Sequence, residues 1–188
     1  ITSTSDRKIE ILKNKYGSQH FYYKVDLSNA DNLQNCLNVI SNEHKDIAVI
    51  VNNAGITHDS LIFRMKDQDW NKIIQTNLSS NYQIIKTLLP NMLSLKYGKI
   101  IGISSIVGST GNPGQANYVA SKSGMVGLYK SIALEVAKRN INVNIISPGF
   151  ISTAMTENLN EDQKNLYLSR IPMSRFGKPE DVANLVFF

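Results

Sequence analysis

Cysteine and histidine are both scarce in this sequence, and neither is arranged for the chemistry that it commonly supports. Cys36 is the only cysteine, so an intramolecular disulfide is excluded and a reducing compartment is favoured. The three histidines, His20, His44 and His58, are not spaced like metal ligands, either among themselves or with Cys36. We therefore expect neither a disulfide scaffold nor a metal site.

Long hydrophobic runs and blocks of basic residues are also missing. No stretch approaches the roughly 20 apolar residues of a membrane span, and no charged and then apolar leader opens the chain, so we expect a soluble protein. The net charge is +5, but the lysines and arginines are scattered and are not interleaved with aromatic residues. This distribution argues against nucleic-acid binding and favours an acidic protein partner.

What is present fits one globular α/β domain over residues 1–188. The chain has 188 residues, of which 42% are hydrophobic and 19% charged, enough for a sizeable core. The apolar run at 47–51 predicts a strand buried on both faces of a parallel sheet. Further strands are predicted at 21–25, 99–103 and 142–146, with the end of another at 1–5. Helical segments separate them, so the pattern predicts a doubly wound parallel sheet.

Two helices have clear local signals. Ser5 or Asp6 is suited to cap a helix that Gly17 stops. A longer helical region is predicted from 67 to 96, where Pro90 favours a local bend or break.

Candidate ligand-binding residues stand where predicted strands end. Asp26, Asn53, Ser105 and Pro148 each follow a strand. Parallel sheets of this type bind ligands beyond the carboxyl ends of their strands. The agreement of these positions predicts one site at that edge.

The stretch from 98 to 122 carries the clearest chemistry. Ser105 ends a strand, a glycine-rich loop follows, and Tyr118 and Lys122 stand four residues apart on a helix predicted at 117–139. A cation beside a phenol favours the phenolate, so we expect Lys122 to lower the pKa of Tyr118 towards about 7. Ser105 would hydrogen-bond an oxygen that Tyr118 protonates. The arrangement predicts proton transfer at a carbonyl or alcohol, whereas an isolated pair of this kind is more often a solvated surface.

These residues resemble the active site of the short-chain dehydrogenase/reductase family, which has a Rossmann-type fold. The order of NNAG at 52–55, Thr76 with Asn77, and then the serine, tyrosine and lysine is similar to the family pattern. The resemblance covers essentially the whole chain. The stretches NNAGITHDSLIFRMKDQDW, GNPGQANYVASKSG and NVNIISPGFISTAMT are most similar to bacterial and organellar 3-oxoacyl-[acyl-carrier-protein] reductases.

The resemblance implies a role for each catalytic position. Tyr118 would be the general acid, Lys122 would lower its pKa and hold the nicotinamide ribose, and Ser105 would polarise the substrate carbonyl. Asn77 would hold a water in the proton relay. A lone asparagine in a helix is otherwise often just solvated.

The resemblance also implies a nicotinamide cofactor. Asp26 and Leu27 would contact adenine, although an aspartate here is also suited to cap a helix. The positions implied around the ribose and nicotinamide are Asn53, Ala54, Gly55, Pro148, Gly149, Ile151 and Thr153. Thr4 stands where relatives that prefer NAD usually have an acidic residue, so we expect NADPH rather than NADH, with Thr4 contacting the 2′-phosphate.

The implied substrate is a 3-oxoacyl group on acyl carrier protein, with Lys96 and Arg139 docking this acidic carrier unless they are simply solvated. The resemblance also implies a homotetramer paired through the helices at 67–96 and 117–139, although the apolar residues of these helices could equally belong to the core. The expected location is a bacterial cytoplasm or an organelle matrix or stroma. Two alternatives stay open. One is reduction of a free ketone, a steroid or a sugar, which depends on the loop after Ile151, and the other is a noncatalytic nucleotide-binding scaffold.

Two parts of the family pattern are not found in this sequence. The family's first strand and its glycine-rich phosphate turn would precede Ile1, and its last strand would follow Phe188. We therefore expect a fragment at both ends, without the helix N-terminus that binds pyrophosphate.

Overall fold

The structure is a computed structural model that describes residues 1–153 and 161–188. The strands are β1 (Thr2–Ser3), β2 (Tyr23–Lys24), β3 (Val49–Asn52), β4 (Gly98–Ile103) and β5 (Ile141–Ile146). The α-helices are α1 (Asp6–Tyr16), α2 (Ala30–Glu43), α3 (Asp67–Ile74), α4 (Ser80–Leu95), α5 (Val107–Thr110), α6 (Ala116–Val136), α7 (Glu161–Leu168) and α8 (Pro179–Phe187). Short 3₁₀ turns cover Ile62–Arg64 and Ala137–Arg139, and a π-helical turn covers Gln75–Ser79.

All strand pairs in the described residues are parallel, and helices connect successive strands. One sheet has the order β3-β4-β5, and the other pairs β1 with β2. The register aligns Asn52 with Gly102 on β4, and Ile103 with Ile146 on β5, so these strands end at one edge. The predicted α/β fold of Rossmann type is confirmed.

The prediction that the strand at 47–51 is buried on both faces is wrong. Val49 and Val51 on β3 are 51% and 44% exposed, whereas Ile50 between them is buried. The two valines line a groove of about 700 Å³ that Thr2 of β1 also lines. No strand among the described residues pairs with β3 on this side, because β1 pairs only with β2. The valines therefore face open space.

The helix ends follow the local signals closely. Ser5 is the N-cap of α1, where its hydroxyl accepts from the Lys8 amide at 3.3 Å, and Gly17 ends the helix at a φ of 88°. Asn29 caps α2 in the same way through its side chain.

The long helical region is interrupted at a different place from the one predicted. Pro90 lies inside α4, which continues to Leu95, so the helix does not break there, and the bend stays a prediction. The irregular segment is the π-helical turn at 75–79, where the Ser80 amide donates to the Gln75 carbonyl five residues earlier. The Ser80 hydroxyl also donates to the Thr76 carbonyl at 2.6 Å. In a π-helical turn, some backbone carbonyls lose the amide donor that they would have in an α-helix. A side-chain donor therefore replaces the amide here.

One apolar core holds the strands and the helices together. Its buried members come mainly from β3, β4, α2, α4 and α6, and include Leu33, Leu37, Ile50, Ile85, Leu88, Met92, Ile100, Met125, Tyr129 and Ile132. This packing fixes α6 against the three-stranded sheet. In the described part of the chain, no helix is long and apolar enough to cross a membrane.

Candidate active site

Tyr118 and Lys122 share one face of α6. The Lys122 ammonium nitrogen lies 5.6 Å from the centre of the Tyr118 ring. It also donates a 2.7 Å hydrogen bond to the carbonyl of Ile103, the last residue of β4. The lysine is only 3% exposed, so this cation is held between helix and sheet.

Burial dominates the electrostatics of the pair. Loss of hydration lowers the pKa of Lys122 to about 8. Burial also raises the pKa of Tyr118, a hydrogen bond with Ser105 acts in the opposite direction, and the charge of Asp59 raises it further. The expectation that Lys122 lowers the pKa of Tyr118 is therefore not met in this structure. The ammonium is committed to the Ile103 carbonyl, and desolvation of the phenol is the larger effect.

Ser105 reaches the site from the turn between β4 and α5. Its hydroxyl oxygen accepts from the Val107 amide at 3.4 Å, and its carbonyl accepts from the Gly108 amide at 3.0 Å. These contacts fix the serine at the carboxyl edge of the sheet, where its hydroxyl acts to lower the pKa of Tyr118. The three residues of the sequence pattern thus meet in space.

Asn77 is not solvated. It is fully buried in the π-helical turn, and its side-chain oxygen accepts from the Ile56 amide at 2.9 Å. Its side-chain nitrogen donates to the Ile56 carbonyl at 2.9 Å and to the Ser121 hydroxyl at 3.2 Å. Asn77 therefore ties the π-helical turn to the loop after β3 and to α6.

A cleft of about 930 Å³ opens in front of these residues. Ten positions predicted from the sequence line it, namely Asn53, Ala54, Gly55, Ser105, Tyr118, Lys122, Pro148, Gly149, Ile151 and Thr153. They come from the ends of β3, β4 and β5 and from α6. The cleft is also lined by apolar side chains, among them Val182 and Val186 of α8.

The residues predicted to contact the adenine end lie elsewhere. Leu27 lines the groove between β1 and β3, and Asn53 and Ala54 line both that groove and the cleft. Asp26 is exposed, and its carboxylate accepts from the Ser28 amide at 2.9 Å and hydroxyl at 2.7 Å, which lowers its pKa. Thr4 is exposed just after β1 and lines neither space.

Lys96 and Arg139 stand at the other edge of the sheet. Each is exposed and lies shortly before a strand, β4 in one case and β5 in the other. Asn140 joins the two turns, since its side chain donates to the Lys96 carbonyl at 3.2 Å. Strands of six residues, each about 20 Å long, separate this edge from the catalytic one.

Sequence reasoning missed two polar contacts at the start of the helix that carries Tyr118. Asn117 is fully buried, donates to the His58 carbonyl at 3.1 Å and accepts from the Tyr118 amide at 2.7 Å. Gln115 donates to both carboxylate oxygens of Asp59, at 2.9 and 3.1 Å. An asparagine immediately before the tyrosine on a packed helix was the available signal. Within the described residues, no group of three potential ligands is placed to hold a metal ion.

Comparison with known proteins identifies similar chains. A family model described as short chain dehydrogenase matches residues 2–164. The 3-oxoacyl-[acyl-carrier-protein] reductase FabG of Haemophilus influenzae is 46% identical over 187 residues, which are 100% of this chain and 77% of that protein. The proteins of the same name from Rickettsia felis and Escherichia coli are 45% and 41% identical over 188 and 187 residues. Each alignment covers 100% of this chain, and 76% and 77% of the respective relative.

Proposed function

The chain belongs to the short chain dehydrogenase family, and on that premise we propose that it reduces 3-oxoacyl groups carried on acyl carrier protein. The product is the 3-hydroxyacyl thioester, an intermediate of fatty-acid biosynthesis, and the reductant is NADPH. The observation that carries the proposal is the meeting of Ser105, Tyr118 and Lys122 in one cleft. The names of the aligned relatives support the choice of substrate.

The cleft fits a nicotinamide cofactor. Its volume of about 930 Å³ is within the range of ligand sites, and it lies beyond the carboxyl ends of parallel strands. Close approach is possible at Gly55, where an added Cβ would lie 3.4 Å from the Lys122 ammonium. Asn53, Ile151 and Thr153 would hold the cofactor on the Tyr118 side. When bound, it supplies the hydride that reduces C3 of the substrate.

Tyr118 supplies the proton. Its raised pKa keeps the phenol protonated at neutral pH, as a general acid requires. The phenol gives its proton to the substrate carbonyl oxygen, while the Ser105 hydroxyl donates a hydrogen bond to that oxygen. Lys122, with a pKa of about 8, then returns a proton towards the phenolate. The carbonyl becomes a hydroxyl, and the sum of hydride and proton balances the reduction.

The choice of NADPH is supported by the surroundings of Asp6. A free carboxylate here would repel a 2′-phosphate, but Lys24 donates to the Asp6 carboxylate at 2.5 Å and lowers its pKa. The acidic charge is therefore paired. Thr4 lies two residues before Asp6 and offers a hydroxyl to the phosphate. Asp26 and Leu27 would take the adenine end.

The surface supports a proposed assembly and a proposed carrier site. Helices α4 and α6 carry exposed apolar side chains, including Tyr82, Leu95 and the 84% exposed Leu134. These faces would pair subunits into a homotetramer. Lys96 and Arg139 share one exposed edge and would attract an acidic carrier. The proposed location is a bacterial cytoplasm or an organelle matrix or stroma.

The test is a substrate and cofactor panel with the full-length protein, followed at 340 nm. Acetoacetyl-acyl carrier protein is offered beside free ketones, steroids and sugars, first with NADPH and then with NADH. Fast oxidation of NADPH that requires the carrier thioester supports the proposal. Turnover of free ketones alone would reject the substrate and keep the chemistry, and equal rates with NADH would reject the cofactor preference.

A further inference from the structure

We propose that Tyr129 is a positioning residue for this active site. It acts through Asn81 of α4, which in turn holds the π-helical turn that carries Asn77. One of the two measurements that test this proposal, kcat, rests on the proposed reductase activity. Tyr129 lies on α6, seven residues after Lys122, and does not line the cleft. Its side chain is 1% exposed.

The phenol of Tyr129 joins two asparagines from distant parts of the chain. Its oxygen accepts from the side-chain nitrogen of Asn52, the last residue of β3, at 2.7 Å. Its hydroxyl donates to the side-chain oxygen of Asn81 on α4, also at 2.7 Å. A phenol has one proton to donate, so each of the two hydrogen bonds has a defined donor and acceptor. This fixes the orientation of both side-chain amides.

The orientation of Asn81 decides what happens at the π-helical turn. With its oxygen directed to Tyr129, its side-chain nitrogen donates to the Asn77 carbonyl at 3.0 Å. The Asn77 side chain in turn holds Ile56 and Ser121. The Ser121 hydroxyl donates to the carbonyl of Tyr118 at 2.7 Å. A continuous hydrogen-bonded chain therefore runs from Tyr129 to the backbone of the general acid.

The sheet leaves room for this phenol at a glycine. An added Cβ at Gly102 of β4 would lie 2.5 to 2.9 Å from the ring and hydroxyl atoms of Tyr129. The ring otherwise packs in the apolar core. Burial raises the pKa of Tyr129 above its ordinary value, so its hydroxyl stays neutral and keeps its proton to donate. A phenol buried among apolar groups has few alternative partners, so its two bonds are strongly specified.

The direct test replaces the hydroxyl alone, in Tyr129→Phe. Asn81 then loses the partner that orients its amide, and we expect the amide proton of Ile56 to exchange about tenfold faster in NMR hydrogen exchange. We expect kcat for acetoacetyl-acyl carrier protein to fall about tenfold, with KM for NADPH within about twofold of wild type. A purely structural role would lower the thermal midpoint without this split between kcat and KM.

A matched control is available on the π-helical turn itself. The Thr76 hydroxyl is buried and has no hydrogen-bond partner among the described residues. Thr76→Val therefore removes a buried hydroxyl without breaking a bond, and we expect wild-type Ile56 exchange and kcat.

Asn81→Leu breaks the same series of hydrogen bonds at the next residue, with Tyr129 intact. This variant also serves if Tyr129→Phe fails to fold. Its kcat should fall by a similar factor, and the double variant should lose no more than either single one, because both act through one path. Losses that multiply in the double variant would overturn the proposal, as would unchanged kcat and Ile56 exchange in the single variants.

Ile56 exchange decides the inference even if the wild-type protein reduces no carrier thioester. Failure of the proposed function would be seen in the wild-type assay. Failure of the positioning role would be seen in unchanged Ile56 exchange.

Discussion

The three-stranded sheet and the two-stranded sheet differ in how completely they are paired and covered. Strands β4 and β5 pair along six residues each, and α6 packs against them. Strands β1 and β2 pair along two residues each, next to an open groove. Ser105, Tyr118 and Lys122 all belong to the first region, while Thr4 and Asp26 belong to the second. The proton-transfer geometry therefore depends on the well-packed region, and the adenine-side predictions depend on the open one.

The largest expected effect concerns the buried cation of the packed region. The pKa of Lys122 is lowered by burial from 10.5 to about 8, so the folded protein binds fewer protons than the unfolded chain between these values. The free energy of unfolding should therefore rise with pH from about 8 to 10, by about 1.4 kcal/mol per pH unit from this group. Above pH 10, the raised pKa values of Tyr118 and Tyr129 act in the opposite direction.

Lys122→Met should remove this contribution. Urea unfolding of both proteins at several pH values between 8 and 10 gives the slope of the free energy of unfolding against pH. The difference between the two slopes measures the contribution of Lys122. Lys130 is exposed on the same helix, so Lys130→Met is the matched control and should keep the wild-type slope. Equal slopes for wild type and Lys122→Met would show that Lys122 titrates as in water.

The next effect compares two glycines of the same region. At Gly102 an added Cβ would lie 2.5 Å from the Tyr129 ring, whereas at Gly127 on α6 it would meet no described heavy atom within 4 Å. Gly102→Ala should lower the free energy of unfolding by about 1 to 3 kcal/mol through overpacking. Gly127→Ala should raise it by up to about 1 kcal/mol through helix propensity. Thermal and urea unfolding check both, and an unaffected Gly102→Ala would mean that the ring is free to move.

The smallest effect tests the open region. Lys24→Ala frees the exposed carboxylate of Asp6, which should repel a 2′-phosphate. Because both groups are solvated, we expect KM for NADPH to rise only about two- to fivefold, with kcat and KM for NADH unchanged. Steady-state kinetics with both cofactors gives the comparison, and Asp6→Asn in the Lys24→Ala background should restore KM. If the ratio of KM for NADPH to KM for NADH stayed as in wild type, the 2′-phosphate would bind elsewhere.

The same contrast explains what could be predicted from the sequence. Ser105, Tyr118 and Lys122 were predictable because their spacing along one strand, loop and helix already determines their proximity. The exposure of Val49 and Val51 was not, because it depends on which strand lies beside β3. Pro90 was a local signal for a bend or break, but the irregular turn formed at 75–79, where contacts with other elements decide the helical geometry.

The buried polar contacts were equally hidden. Tyr129 meets Asn52 and Asn81 across 77 and 48 residues of sequence, so no local pattern relates them. Asn77 was identified only through the family resemblance, and its full burial comes from contacts with Ile56 and Ser121. Long-range hydrogen bonds of this kind require the fold before they can be assigned.

The central claim is that the Tyr118 phenol supplies the proton in the reduction, and Tyr118→Phe tests it most directly. The measurement is the single-turnover oxidation of NADPH at 340 nm with saturating acetoacetyl-acyl carrier protein, alongside the Kd for NADPH. Loss of a general acid predicts a rate about 10²- to 10⁴-fold lower, with the Kd nearly unchanged. A Tyr118→Phe rate within about threefold of wild type would contradict the claim, because the proton would then come from another group.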